Sequence, residues 1–258
     1  MRRQWGRVRY RFGARLGPRR SAAGLPPATV ILMSYRRPGN MRAIVGEVLR
    51  LGFVERVVVS NNNPDVALRI SIRDRRLAIL QQDRHRRASI RMALARDTAG
   101  ERFLTCDDDL FLRAEQMEEL YRRFLAQPEI VHGLVGSMRL PPGTDKSARS
   151  DLRGDRELDV VSRVAAFSRA HVDGWFRNLA TLGLDSPDEL QNGEDILLSL
   201  AGSGRPRCHD LGPLLECETT YRRGIALSRE EGFHDRRRRI YDRLVRDHRA
   251  RGQTCWEI

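Results

Sequence analysis

The sequence predicts an α/β fold in which one doubly wound domain is built on a mostly parallel sheet. Two observations predict it: short apolar runs have the length of buried parallel strands, and they alternate with segments whose apolar residues recur at helical spacing. The 258 residues suffice for one large domain, and 40% hydrophobic residues with 21 glycines are typical of a globular chain.

The first half of the chain contains most of this alternation. Residues 28–35 form an apolar run before a Pro-Gly turn, which favours a buried strand. Residues 41–51 carry their apolar side chains on one helical face. The next segments predict, in order, strands at 54–59 and 77–80, a helix at 87–96 and a strand at 103–106.

The second half begins with a helix after Asp109, since apolar residues recur at i, i+3, i+4 and i+7 from Met117. Residues 141–158 are rich in Pro, Gly, Ser and charge, so we expect a mobile surface loop there. The other predicted elements are strands at 130–138 and 160–167, a helix within 189–200 and a basic amphipathic C-terminal helix from Phe233.

The chain is strongly basic, with a formal net charge of +13. All of its 47 Lys and Arg residues except Lys146 are arginine, which indicates compositional bias rather than a specialised surface. Residues 1–24 contain no acid, and Trp5, Tyr10 and Phe12 are interleaved with arginines. Such an arm could contact an anionic membrane or nucleic acid, but a flexible, solvated tail is the favoured interpretation and nucleic acid is not an expected partner.

The sequence favours a cytoplasmic protein without a transmembrane segment. No stretch approaches the roughly 18 consecutive apolar residues that a membrane span needs. The arginine-rich N-terminus lacks the apolar region of a secretory signal. The four cysteines are far apart and match neither a zinc site nor a disulfide framework, so a reducing compartment is expected.

The most informative feature is the acidic triplet Asp107, Asp108 and Asp109, which directly follows the predicted strand at 103–106. Two unit charges about 4 Å apart repel by roughly 4 kcal/mol at an effective dielectric of about 20. Three carboxylates therefore need a divalent cation or an array of donors, and Mg²⁺ or Mn²⁺ commonly bridges carboxylates to a diphosphate. Alternatively, these acids only stabilise the start of the next helix.

Polar residues also follow two other predicted strands. Residues 34–37 (Ser-Tyr-Arg-Arg) follow the first strand and residues 61–63 (three asparagines) follow the second. Because the carboxyl ends of parallel strands meet at one edge of a sheet, we expect these segments and the acidic triplet around a common crevice. A second acidic pair, Glu194 and Asp195, follows Asn-Gly at a predicted helix start, where acids are common for structural reasons alone.

These motifs resemble those of the GT-A glycosyltransferases, most closely the exostosin-type retaining α-N-acetylhexosaminyltransferases. The acidic triplet resembles the D-x-D signature of that family at the same distance from Arg91, although Ile90 stands where the family has asparagine. The resemblance covers residues 28–245, and its other matching segments are 31–37, 57–62, 135–139 and 192–196.

The resemblance implies a GT-A fold and metal-dependent transfer of a sugar from a nucleoside-diphosphate sugar (UDP- or GDP-sugar) to an acceptor hydroxyl, with retention of configuration. The implied metal is Mn²⁺ or Mg²⁺, held by Asp109 together with Asp107 and His234. Asp195 and Glu194 would orient or deprotonate the acceptor hydroxyl, or stabilise charge at the anomeric carbon. The implied nucleotide-sugar-binding residues are Ser34, Tyr35, Arg37, Asn61, Arg87, Arg91, Asp107, Asp108 and Arg229.

The resemblance also implies a domain organisation. A catalytic domain would span 25–220, with a nucleotide-binding part at 25–140 and an acceptor part at 159–220. The basic segment 221–258 would contribute a loop and a helix that close on the site, with Arg229 over the diphosphate.

Two roles have more than one candidate residue. Arg222 or Arg223 could serve in place of Arg229. His209 and His234 could each be an additional metal ligand, although a lone histidine is more often structural.

Arg163 departs from the family, which has small apolar residues at this point of the strand. A charged side chain in a strand must reach either an oppositely charged partner or the crevice. We therefore include Arg163 among the catalytic candidates. Sugar-nucleotide mutases that interconvert pyranose and furanose rings also resemble GT-A enzymes, carry three aspartates and depend on arginine. Such a mutase is the alternative function, and a non-catalytic basic binding module is the third.

Overall fold

The computed structural model describes residues 24–139, 148–222 and 227–252. Nearly all of the basic arm 1–24 lies outside these residues, as do Arg223 and the segment 141–147 of the predicted loop. Within the described residues, no helix has both the length and the apolar composition that crossing a membrane requires.

The structure describes eleven strands: β1 Ala28–Ser34, β2 Val54–Asn61, β3 Leu77–Gln81, β4 Arg102–Cys106, β5 Leu110–Phe111, β6 His132–Arg139, β7 Ala148–Leu152, β8 Arg156–Glu157, β9 Val160–Ser168, β10 Arg207–Cys208 and β11 Leu215–Glu216. Nine of these described strands form one sheet in the order β3-β2-β1-β4-β9-β6-β10-β8, with β7 paired to β6. The remaining two, β5 and β11, pair with each other.

Within the described ranges, six α-helices cover the two faces of this sheet. They are α1 Met41–Leu49, α2 Ile90–Asp97, α3 Ala114–Ala126, α4 Arg169–Thr181, α5 Glu194–Ser199 and α6 Phe233–Ala250. Along β1, Val30 and Leu32 pack into one hydrophobic cluster with α1 and α3, whereas Ile31 and Met33 pack into the other with α2, α4, α5 and α6. This alternation follows from the two-residue period of a strand.

The strand directions confirm the predicted α/β fold with a mostly parallel sheet. Strands β3, β2, β1 and β4 are parallel neighbours. Strand β9 runs antiparallel to β4 and to β6, so β6 and its parallel neighbour β10 point the same way as β4. Ser34 pairs with Asn61, and Leu32 pairs with Cys106, which brings the polar residues after β1, β2 and β4 to the same sheet edge.

A bulge in β9 shapes the middle of this edge. Gly133 pairs with Ala165 and Val135 pairs with Ser162, so two residues of β9 oppose one residue of β6. Arg163 lies in the bulge with φ +67°, a left-handed conformation that costs a non-glycine residue about 1–2 kcal/mol. The bulge turns this residue out of the regular alternation of the strand.

Two parts of the sequence prediction need correction. The loop expected at 141–158 contains β7, which hydrogen-bonds to β6, and β8, which hydrogen-bonds to β10. Both strands consist mainly of exposed polar residues, so they have no apolar pattern from which they could be predicted. Helix α4 was not predicted, although its buried Val172, Trp175 and Leu179 have helical spacing. The helix expected within 189–200 is confirmed as α5, which follows the 3-10 turn Pro187–Glu189.

We predict that Gly133→Ala lowers the free energy of unfolding by about 1–3 kcal/mol, because overpacking strains a dense core. A β-carbon at Gly133 would lie 2.2 Å from Cγ1 of Val161 and 2.6 Å from the carbonyl oxygen of Val164. Urea denaturation measures the change. Gly39→Ala is the matched control, since no heavy atom lies within 4 Å of a β-carbon built there. Equal stability of the two variants would contradict the packing described for β6 and β9.

Candidate functional site

A cavity of about 690 Å³ opens at the carboxyl ends of β1, β2 and β4, beside α5 and the start of α6. Twelve of the residues predicted from the sequence line it. They are Tyr35, Arg37, Arg87, Arg91, Asp107, Asp108, Asp109, Arg163, Glu194, Asp195, Arg229 and His234. The structure thus brings the acidic triplet, the arginines before it and the acidic pair of α5 into one space.

Asp107 is paired with Arg91 of α2. Arg91 Nη2 donates to Asp107 Oδ1 at 2.8 Å, and Nη1 donates to Thr105 Oγ1 at 3.2 Å. Burial works to lower the pKa of Arg91, but the carboxylates of Asp107 and Glu194 raise it above its ordinary value. The buried guanidinium therefore stays charged and holds Asp107 at the cavity wall.

Asp108 is bound by the segment that follows β1. Arg37 Nη1 donates to Asp108 Oδ1 at 2.8 Å, and the backbone N–H of Tyr35 donates to Oδ2 at 3.2 Å. Asn40 Nδ2 donates to the backbone oxygen of Asp108 at 2.7 Å. Burial raises the pKa of Asp108, and the Arg37 guanidinium opposes this rise. With these contacts, Asp108 connects the ends of β1 and β4.

Asp109 lies between two guanidinium groups. Arg163 Nη2 donates to Asp109 Oδ1 at 3.0 Å, and Arg37 Nη2 lies 3.6 Å from Oδ2. Burial and the neighbouring Asp107 raise the pKa of Asp109, whereas Arg163 lowers it. The second guanidinium nitrogen of Arg163 contacts Glu216 of β11, so Arg163 links two acidic residues.

The two acidic residues of α5 differ in their contacts within the described part of the chain, where Asp195 has an ion pair and Glu194 has no salt bridge of 4 Å or less. Arg237 of α6 donates to both oxygens of Asp195, at 2.6 and 2.8 Å. The pKa of Glu194 is raised to about 7 by burial and by the Asp195 carboxylate, against the opposing effect of Arg91. A carboxyl group with this pKa changes charge near neutral pH.

The donor set fits a hard cation whose coordination a ligand completes. Among the described residues, no three His, Cys, Asp or Glu side chains come together in a group that could hold a metal, so His234 does not join Asp107 and Asp109 in one. Mg²⁺ is usually held by one or two carboxylates and substrate phosphates rather than by an all-protein cage. Of the two carboxylate oxygens of Asp107, Arg91 hydrogen-bonds to Oδ1. A cation at Asp109 would replace part of the contacts between Asp109 and its arginines.

Some predicted residues lie away from the cavity lining. Ser34 is fully buried. The Asn61 side chain donates hydrogen bonds to Val66 O and Gln81 Oε1. The side chains of these two residues therefore stay within the sheet and do not extend beyond its edge. Asn62 lines the cavity instead. His209 lies away from the cavity lining and shares a 2.8 Å hydrogen bond with the buried His132.

Several cavity contacts were not predicted. Asn40, Thr219, Glu216 and Arg237 all bind residues of the acidic groups or their arginines. Asn40 follows the Pro-Gly turn after β1, and an asparagine there predicts a helix N-cap. The sequence does not predict that its side chain donates to the backbone oxygen of Asp108. Arg237 lies within four consecutive arginines, so the sequence does not distinguish it from its neighbours.

Residues 28–247 match the model of the glycosyl transferase family 64 domain, which is 220 of the 258 residues. The protein is therefore a member of the glycosyltransferases. It belongs to family 64 of that class, and the glycosyltransferase prediction is confirmed, whereas the exostosin type stays a prediction. A search of the curated proteins found no match.

Two solved structures are similar at low identity. S. aureus TarS 1-349 is 14% identical, with 75% of this chain and 61% of that chain covered and a TM-score of 0.47. The mannosyltransferase PcManGT from Pyrobaculum calidifontis, solved in complex with GDP-Man and Mn²⁺, is 16% identical, with 90% and 66% covered and a TM-score of 0.47. The chain thus spans less than two thirds of either one.

We predict that Glu194→Gln removes a pH dependence of stability. The carboxyl group of Glu194 has a pKa of about 7 in the folded protein against 4.5 ordinarily, so the unfolded chain ionises first as pH rises. The contribution of Glu194 to stability is therefore fully present below about pH 4.5 and is lost as pH rises to about 7, a change of about 1–3 kcal/mol.

Chemical denaturation across this pH range compares wild type with Glu194→Gln. The difference in unfolding free energy between the two should change with pH in the stated direction. A constant difference would show that Glu194 ionises normally, in contradiction to the burial and charge pairing described above.

Proposed function

We propose that the protein transfers a sugar from a nucleoside-diphosphate sugar to an acceptor hydroxyl, with retention of configuration and in a metal-dependent reaction. The observation that carries this proposal is that the acidic triplet, its arginines and the acidic pair of α5 line one cavity. Membership of glycosyltransferase family 64 supports the same activity. We further propose that the acceptor part of the site is built by β9, α5 and α6.

The arginines and the triplet would bind the donor. Arg87 lies at the cavity surface and donates to the backbone oxygen of Gln191, so its charge is available to a phosphate. Asp107, held by Arg91, would contact the ribose or the donor sugar. Tyr35 lines the same wall, with its ring edge-on to His85 at 5.8 Å, and would bound the nucleotide.

The metal would bind at Asp109 and Asp107, whose oxygens suit Mn²⁺ or Mg²⁺. When bound, it would supply a Lewis acid that neutralises the leaving diphosphate. Arg229 lines the cavity in the 3-10 turn Leu227–Arg229 and would add a second positive charge toward that leaving group.

Glu194 is the better candidate for moving a proton from the acceptor hydroxyl. Its pKa of about 7 matches a general base that works near neutral pH. Asp195 uses both carboxylate oxygens for Arg237, so it would orient the site or stabilise positive charge at the anomeric carbon rather than accept the proton.

A sugar-nucleotide mutase is the second candidate. The observation that favours it is Arg163, which reaches Asp109 from within the cavity wall. In a mutase no acceptor is needed, since the nucleotide that leaves the sugar returns to it.

We predict that Asp109→Asn lowers turnover of a sugar nucleotide by about a hundredfold or more, because it removes a charge that holds the cation. Release of UDP or GDP from a panel of UDP- and GDP-sugars with Mn²⁺ measures the change. Asp97→Asn is the matched control, since the Asp97 side chain is 70% exposed at the end of α2.

The control should keep wild-type activity. Full activity of Asp109→Asn, or equal turnover with a chelator present, would contradict the metal-dependent proposal. An isomeric sugar nucleotide found by chromatography, without free nucleotide and without an acceptor, would replace the transferase with the mutase.

A further inference from the structure

Arg163 is fixed to the acidic triplet through its backbone. It lies in the β9 bulge with φ +67°, and its carbonyl oxygen accepts a hydrogen bond from the Asp107 N–H at 2.8 Å. A regular strand residue at this place would alternate with its neighbours, whereas the bulge directs the Arg163 side chain into the cavity wall. The backbone that positions Asp107 thus also positions this guanidinium.

The guanidinium of Arg163 lies between two carboxylates. One nitrogen donates to Asp109 Oδ1 at 3.0 Å, and the other contacts Glu216 Oε1. Glu216 also accepts from Arg153 Nη2 at 2.8 Å and lies 3.4 Å from the Tyr221 hydroxyl. Burial works to lower the pKa of Arg163, but Asp109 and Glu216 raise it, so the side chain carries a full positive charge.

A divalent cation and this guanidinium need the same carboxylate. Oδ1 of Asp109 accepts from Arg163, and Oδ2 lies within ion-pair distance of Arg37. A cation that binds Asp109 must therefore displace a guanidinium or lie beside it, and like charges at such a distance repel strongly in a partly buried site.

We propose that Arg163 is a built-in counter-ion of Asp109 that competes with the divalent cation for this carboxylate. This inference rests on the proposed metal-dependent function. Without a ligand, Arg163 neutralises Asp109 and metal affinity is low. When a nucleoside diphosphate binds, its negative charge helps to hold the cation at Asp109. Arg163 then keeps the contact with Glu216 that it already makes without a ligand.

Titration with Mn²⁺ alone, followed by the electron paramagnetic resonance of the free ion, tests the competition without any turnover. Arg163→Asn removes the charge, and asparagine tolerates a positive φ. Arg163→Gly is a second variant that suits this backbone conformation even better. We expect both variants to bind Mn²⁺ about tenfold more tightly than wild type or better, since a repelling charge is removed.

Arg153→Ala is the matched control, because Arg153 contacts Glu216 but has no contact with Asp109 among the described residues. It should bind Mn²⁺ as wild type does. The double variant Asp109→Asn/Arg163→Asn should not show the increased Mn²⁺ affinity of Arg163→Asn. That result would show that the increase depends on the Asp109 carboxylate. Circular dichroism establishes that each variant is folded.

Unchanged or weaker Mn²⁺ binding by the folded Arg163 variants would overturn the inference. If wild type nevertheless binds Mn²⁺ together with UDP or GDP, the metal-dependent function survives that result. An absence of Mn²⁺ binding to every variant, with and without UDP or GDP, would overturn the inference and the metal dependence together.

Discussion

The repulsion among three consecutive carboxylates at a sheet edge is the constraint on which this site depends. In the structure, each carboxylate of the acidic triplet has an arginine partner from a different segment of the chain. Arg91 comes from α2, Arg37 from the turn after β1, and Arg163 from the bulge of β9. Charge neutralisation therefore requires β1, β4, β9 and α2 to hold their mutual positions, so the site and the fold support one another.

The antiparallel direction of β9 positions the helices that complete the cavity. Because β9 runs antiparallel to β4, it returns past the acidic triplet and leads into α4, against which α5 and α6 pack. The ion pair between Asp195 and Arg237 then joins α6 to the start of α5. Residues more than a hundred positions apart in the sequence thus face one another across a space that can hold a substrate.

The sequence predicted the elements that repeat a local pattern and missed those that depend on partners far along the chain. Apolar runs predicted β1, β2 and β4, and three adjacent acids predicted a charged sheet edge. The positive φ of Arg163, the use of both Asp195 oxygens by Arg237 and the pairing of β7 with β6 have no local signal. In a chain with 46 arginines, the type of residue cannot indicate which arginine is paired.

The central claim is that this arginine-compensated edge is a binding site for a diphosphate. Calorimetric titration of UDP and of GDP into the wild-type protein, with and without Mn²⁺, tests it most directly. We predict that at least one of the two nucleotides binds with one-to-one stoichiometry and that its affinity is higher with Mn²⁺. The Arg91→Met variant, which loses a buried guanidinium, should bind that nucleotide about tenfold more weakly or worse. Absence of binding by both nucleotides under both conditions would contradict it.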